Sequence, residues 1–315
     1  MANEATGTLW GLLNYTGELF TASQTDTPFL SMVGGLTGGK MTTNFEFATD
    51  SEYEHETLAQ ETITETESIA GVTPINFVRT QNKNVVQIYQ EEVLLSYVKQ
   101  ANFGRMSGIN TIGATNPVTS EKDFQIARAL EAIARKVEWQ FLQGTYAIST
   151  NSGTPNQTRG LIEAASDATN TDAAGAAALT KAMMDAILLE MFTNGAMFKT
   201  PVIFCGGFQK QALSDIYGYA PEDRNVGGVN IKQIETDYGN IGVANPHRMM
   251  PASTLLIADV GVCSPVFQPV PGKGNLFYED LSKTGAADAG QIFGQIGLDH
   301  GPNYCHGTIT GLATA

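Results

Sequence analysis

Residues 120–144 read SEKDFQIARALEAIARKVEWQFLQG, and their spacing predicts the clearest helix of the chain. Ser120 stands where a first turn is capped, with Asp123 three residues on in the capping-box position. Ile126, Leu130, Ile133, Val137 and Phe141 recur at intervals of three and four, which puts them on one face. Gly144 is the stop. At 1.5 Å per residue a helix over 120–143 runs roughly 34 Å, far beyond the mean helix, so a domain has to be built along it. A second face carries Arg128, Arg135 and Lys136.

Upstream of this helix the pattern is strand-like. NFEFAT alternates, and so does NVVQIYQEEV with its β-branched residues. Between them lies the most biased stretch of the chain. Glu46, Asp50, Glu52, Glu54, Glu56, Glu61, Glu65 and Glu67 are acidic, and between Met41 and Thr80 the only Lys or Arg is Arg79. The reading is a long β-hairpin closing on an acidic, Thr-rich tip. An isolated two-stranded hairpin is marginal in water, so such an arm makes sense where another surface receives it; otherwise it is a solvated charged loop. Before it, TDTPFLSMVGG predicts a short helix from Pro28, capped by Thr25 or Asp26 and ended by Gly34 and Gly35. Gly34, Gly39 and Lys40 match a phosphate-loop spacing, but Met41 replaces the metal-holding hydroxyl. A strand, not a helix, follows, so the expectation is a flexible glycine hinge.

Downstream, residues 145–180 are rich in Gly, Ser, Thr, Asn and Ala around a short LIEA segment. They read as surface loops and a linker, with a boundary near 178. Then LTKAMMDAILLEMFTNG reads as a helix with Met183, Ile187, Leu188 and Met191 inward and Asn194-Gly195 as its stop. TPVIFCGG is a buried strand and FQKQALSDIYG a second helix. Strands follow around Tyr238-Gly239-Asn240 and in STLLIAD, VCSPVFQPV and NLFYEDL, giving an α/β unit with a mixed sheet. The end reads as two strands joined at Gly301-Pro302.

The totals exclude some classes. A chain of 315 residues suggests about two domains. No run of about 18 apolar residues is present, so no membrane-spanning helix is expected. The first residues lack a cationic region before an apolar run, so no secretion signal is expected. Cys205, Cys263 and Cys305 are few, odd in number and far apart, which fits reduced thiols in a cytoplasmic setting. A net charge of −14 argues against phosphate binding as the main task. Asp299, His300, Cys305 and His306 are the most tempting cluster chemically, since metals take such ligands. Their spacing matches no finger or helix-borne site, and strand alternation sets Cys305 and His306 on opposite faces. No metal, cofactor or catalytic residue is expected.

The order of parts resembles the major capsid protein of tailed bacteriophages. TDTPFLSMVGG is similar to the arm-helix motif of one large branch of that family, QNKNVVQIYQEEVLLS to the returning strand of its extended loop, and DFQIARALEAIARKVEWQFLQG to its spine helix. TDYGNIGVANPHRMMP with LLIAD resembles its central strands, and the tail from Tyr278-Glu279 through SKTGAADAGQIFGQIGLDHGPNYCHGTITGL its ending. The resemblance implies an α+β fold divided into an N-terminal arm (1–39), an extended loop (40–92), a peripheral domain with the spine helix (93–178, helix 120–143), an axial domain (179–270) and C-terminal strands (271–315). It implies a non-enzymatic, self-assembling shell subunit, made in the host cytoplasm and resident in the virion. The subunit forms pentamers and hexamers, and double-stranded DNA is enclosed without a specific site. A separate scaffolding protein, a portal and a cementing protein are the implied partners. Some members weld neighbours through a lysine on the extended loop; residues 41–70 contain none, so no such cross-link is expected.

Residue reading and resemblance meet in one expectation. Glu52, Glu54, Glu56 or Glu61 of one subunit lies against Arg128, Arg135 and Lys136 of the next. Two other readings stay open: a cellular nanocompartment shell of the same fold, and a metal-dependent α/β enzyme using Asp299, His300 and His306.

Overall fold

The computed structural model describes residues 26–53, 60–71, 76–101, 121–168, 170–217, 223–226, 229–246, 248–283 and 285–314. The helix Glu121–Gln143 fills its expected span, with Ser120 outside the described residues. Ile133, Val137 and Phe141 are fully buried, but Leu130 of the same face is 37% exposed. The core is broad around the C-terminal half, where Leu142, Glu138 and Gln140 are also enclosed. Towards the N-terminus it narrows to touch Ile126 and Ala129, and Leu130 is left at its edge.

One sheet is built on the strand Ala287–Asp299. The strand Gln87–Ser96 runs antiparallel along one edge, from Gln87 opposite Ile296 to Ser96 opposite Ala287. Leu276–Asp280 and Ser264–Phe267 share the other edge. Lys40–Met41 joins parallel to Val266–Phe267. The glycine segment is therefore not a free hinge. Gly39 has φ +150°, and a Cβ there would lie 2.3 Å from the Pro265 carbonyl, so only glycine allows this approach. Lys40 then pairs with buried Asp299, not with a phosphate.

The second sheet, seven strands among the described residues, runs in the order Thr171–Ala173, His306–Thr310, Leu255–Asp259, Pro201–Cys205, Gly239–Ala244, Val229–Thr236, Asp223–Val226. Its central strands are buried on both faces. Val202, Phe204, Leu256 and Ala258 face the core that contains the long helix. Ile203, Cys205, Leu255 and Ile257 face a second core beneath the helices Lys181–Thr193 and Gly207–Tyr217. This two-sided burial is why PVIFC and LLIAD are unbroken apolar runs rather than alternating ones. In the helix Lys181–Thr193 Ile187, Leu188 and Met191 are buried as expected, but the buried methionine of the first turn is Met184, while Met183 is only partly covered. Residues 287–299 and 306–310 are not a hairpin, because each belongs to a different sheet and 300–305 carries the chain between them.

The expected linker is largely structural. It contains the helix Leu161–Asp167, with Leu161, Ala164 and Ala165 buried, and an edge strand of the second sheet. Its polar composition hid this, because the polar side chains serve as ties. Thr158 Oγ1 accepts from Leu298 N at 3.2 Å, and Asn170 Nδ2 donates to the Tyr304 and His306 carbonyls, both at 2.9 Å. The short helix Pro28–Met32 forms as expected. Thr25 lies outside the described residues, Asp26 is exposed, and the cap position is Thr27, whose side chain makes no capping bond. Phe29 is fully buried, edge-on to Phe141 of the long helix and Phe204 of the second sheet.

Candidate intersubunit surface

The acidic arm is a two-stranded antiparallel ribbon, Glu46–Tyr53 with Arg79–Val85. Its register runs from Glu46 opposite Val85 to Tyr53 opposite Arg79, with one irregularity between Ala48 and Asp50. The return stretch that reads as one strand is divided at Val86: Arg79–Val85 belongs to the arm and Gln87–Ser96 to the body.

The arm is fixed where it leaves the body. Asn84 is fully buried and uses its whole amide. Its Nδ2 donates to the Leu298 carbonyl at 2.7 Å and the Arg159 carbonyl at 3.2 Å, and its Oδ1 accepts from Val85 N and Arg159 N at 2.9 and 2.7 Å. Opposite Asn84, Phe47 lies over Gly297, where a Cβ would come within 2.9 Å of the ring and 2.8 Å of the Val85 carbonyl. Thus one side chain ties three segments, and one missing side chain makes room for an aromatic ring.

Beyond the root the outgoing strand still runs beside the body, where Asp50 and Glu52 come near Tyr304 and Glu52 near Cys305. Lys83 meets Glu46 at 3.4 Å, and Asp50 accepts from Asn82 N and Nδ2. The tip contains a helix, Glu65–Ala70, that the strand reading missed. Its signal is Thr64-x-x-Glu67, a capping box with both bonds made: Glu67 N donates to Thr64 Oγ1, and Thr64 N to Glu67 Oε2. Those bonds hold the Glu67 carboxyl below its ordinary value. Around this helix Ile63, Ile69 and Val78 are 53, 82 and 73% exposed. An acidic arm with bare apolar side chains near its end has the composition of a contact surface.

The residues expected to pair between subunits are placed as follows. Glu52 lies on the outgoing strand opposite Thr80, and Glu61 is exposed near the tip. Glu54 and Glu56 lie outside the described residues. Arg128 meets Glu131 at 2.7 Å on its own helix, and Lys136 pairs with Glu91 of the body strand. Arg135 is partly covered, with its Nε buried. Within one subunit Arg128 pairs with Glu131 and Lys136 with Glu91, not with the arm acids.

The tempting cluster near the end is a packed joint. His300 and His306 are fully buried, with ring centroids 6.3 Å apart. His300 Nδ1–H donates to the Gly301 carbonyl at 2.8 Å, and His306 Nε2–H to the His300 carbonyl at 2.7 Å. The second nitrogen of each ring has no hydrogen-bond partner among the described residues. Asp299 is held by Lys40 and by Gly301 N, and Cys305 lies in a 3-10 turn before the strand. Among the described residues no three His, Cys, Asp or Glu side chains are grouped to hold a metal.

Burial pushes the His300 imidazole down to about 3, with His306 beside it adding to the effect, and burial lowers His306 as well. Both rings are therefore neutral in the fold, while in the unfolded chain they take a proton near 6.5. Their contribution is complete above that pH and is lost as pH falls below it. From His300 alone, denaturant titrations should register a loss of about 2 kcal/mol on going from pH 7 to 5, read as the difference between wild type and a variant that cannot be protonated there. His300→Gln, which keeps one donor and cannot be protonated, should reduce the loss.

A model of one protein family, described as SU10 major capsid protein, matches residues 2–313. The chain belongs to that family. No curated protein sequence matches it. Among solved structures, the capsid asymmetric unit of cyanophage A-1(L) superposes with a TM-score of 0.64 at 13% identity, covering 96% of each chain. The holo-SrpI encapsulin complex from Synechococcus elongatus PCC 7942 gives 0.60 at 12% identity, covering 95% of this chain and 93% of that one. The capsid of cyanophage P-SCSP1u gives 0.54 at 11% identity, covering 100% and 97%. These likenesses show a shared fold. The family assignment makes this a major capsid protein, a structural subunit of a phage shell with its place in the virion.

In this capsid protein the residues that hold the arm in place were not read from sequence. Asn84 is one asparagine in a polar run, and only the fold shows that four backbone groups surround it. Gly297 was nearer to legible: the repeated glycines of AGQIFGQIG, spaced along one strand, mark where neighbouring chains press closely.

Proposed function

We propose that this major capsid protein assembles as pentamers and hexamers into a closed icosahedral shell around double-stranded DNA, each arm lying over an adjacent subunit. The observation that carries this is the arm itself, tied at its root by Asn84 yet exposing Ile63, Ile69 and Val78 towards its far end. The acidic balance favours enclosing DNA by confinement over binding it at a site. The protein is made in the host cytoplasm, has no catalytic role, and works with a separate scaffolding protein, a portal and a cementing protein. The family match favours a phage shell over a cellular nanocompartment.

Electron microscopy of the purified chain, after sizing at physiological salt, tests this reading. Closed shells, tubes, or rings of five or six are expected. A monomer that stays single at high concentration, alone and with a co-expressed scaffold, overturns it.

The receiving surface includes the cationic face of the long helix, where Arg128, Arg135 and Lys136 meet Glu52, Glu54, Glu56 or Glu61 of the neighbour. Exposed pairs contribute only about 0.2–1 kcal/mol each, but a shell repeats every contact. Arg128→Glu with Arg135→Glu should lower particle yield several-fold at low salt and less at high salt. Unassembled subunits of the double variant should lose no more than about 1 kcal/mol. Normal particle yields from it at low salt would remove this face from the interface.

A further inference from the structure

The arm helix Pro28–Met32 needs an acceptor for its first amides. Pro28 has no N–H to offer, and Thr27 does not accept with its side chain. Phe29 N and Leu30 N donate instead to Glu138 Oε1 and Oε2 of the long helix, at 3.0 and 2.6 Å. The cap thus comes from more than a hundred residues away, and its carboxyl is fully buried.

No counter-ion balances it among the described side chains. The arm helix carries no charged residue. One turn back on its own helix is Arg135, which does not perturb it. On the elements packed against the long helix, Glu91, Asp167, Asp288 and Asp299 are each paired with a lysine or arginine. Glu163 accepts from Tyr146 N, and Asp259 accepts backbone amides at Lys199, Thr200 and Gly261.

Two effects compete at Glu138. The two amide bonds favour the carboxylate, and complete burial without a cation favours the neutral acid. Burial wins, and the group is pushed up from 4.5 to about 7. When the arm helix leaves, the carboxyl meets water and its ordinary value returns. Docking therefore takes up a proton between these limits, and a proton favours the docked state.

We propose that Glu138 is a proton-sensitive latch for the N-terminal arm, holding segment 27–32 against the long helix tightly below neutral pH and loosely above it. This concerns contacts within one subunit and stands apart from the shell reading. The span from 4.5 to about 7 sets a ceiling of roughly 300-fold on the change in the docking equilibrium.

Hydrogen exchange on the unassembled full-length chain tests it, comparing peptides over 27–36 at pH 5.5 and 8.5 after correction for intrinsic rates. Opening of this segment should rise by roughly 30-fold or more at the higher pH, relative to peptides over 181–193. Glu138→Gln, neutral at both, should flatten the rise to within about 3-fold. Should that variant fail to fold, carbon NMR of the wild-type chain with labelled glutamate decides, with one carboxyl expected to titrate near neutrality. PH-independent opening, the same rise in Glu138→Gln, or no glutamate titrating above about pH 6 overturns the latch.

Discussion

Asn84→Ala should detach the arm at its root, lowering subunit stability by about 3–5 kcal/mol and abolishing normal particles. The estimate follows from what is left behind. Arg159 N, Leu298 O and Arg159 O would lose a partner inside the protein, and each orphaned group costs about 1–3 kcal/mol before relaxation. A cavity is added where the amide stood. Asn84→Asp separates hydrogen bonding from shape. It keeps the volume and the acceptor but turns a carboxylate toward two carbonyls that now receive a hydrogen bond, so it should be at least as damaging as alanine. Denaturant unfolding of the unassembled subunit, with particle counts by microscopy, measures both. If Asn84→Asp behaves as wild type, the amide is not the tie described.

Gly297→Val has the second largest expected effect, about 3 kcal/mol, with a displaced arm. Contact distance alone would rank Gly290 higher, since a Cβ there meets the Tyr278 hydroxyl at 2.0 Å. The ring carbons Cζ and Cε2 of Tyr278 follow at 2.4 and 2.7 Å, but all three atoms belong to one partly exposed side chain that can swing aside as a whole. At Gly297 the obstacles are the Val85 carbonyl at 2.8 Å and the Phe47 ring at 2.9 Å, one of them backbone of the arm itself. Overpacking a fixed site costs about 1–3 kcal/mol, and valine adds two methyls to the first clash. Gly290→Ala should lose less than about 1 kcal/mol by the same assay. Phe47→Leu should recover part of the loss in Gly297→Ala but little of that in Gly297→Val, because only the ring yields. Full recovery in the valine double variant would show that the carbonyl contact does not matter.

The fold was legible where one residue type repeats at one period. The long helix, the alternating arm strands and the apolar runs PVIFC and LLIAD each announce their structure through spacing, and their order carried the family resemblance. Errors arose where a signal has two meanings. A polar stretch over 145–180 reads as linker, but Thr158 and Asn170 use their polar groups to tie buried strands together. Leu130 matches the apolar period, yet the core does not extend to cover it. The arm acids were visible as composition, whereas the surface proposed to receive them belongs to another subunit, and no periodicity encodes that. Glu138 was unreadable for a related reason: a glutamate among charged helix residues looks solvated until the arm helix is laid against it.

The two strands Pro201–Cys205 and Leu255–Asp259 have a consequence for how the subunit comes apart. Alternate residues of each serve opposite cores, so neither core can melt while the other keeps its wall. The body should then unfold as one cooperative unit, with slow-exchanging amides spread evenly across both halves. Any reshaping of the subunit on entering a shell then falls to segments outside that unit, chiefly the arm beyond its root, and the body travels as a rigid block.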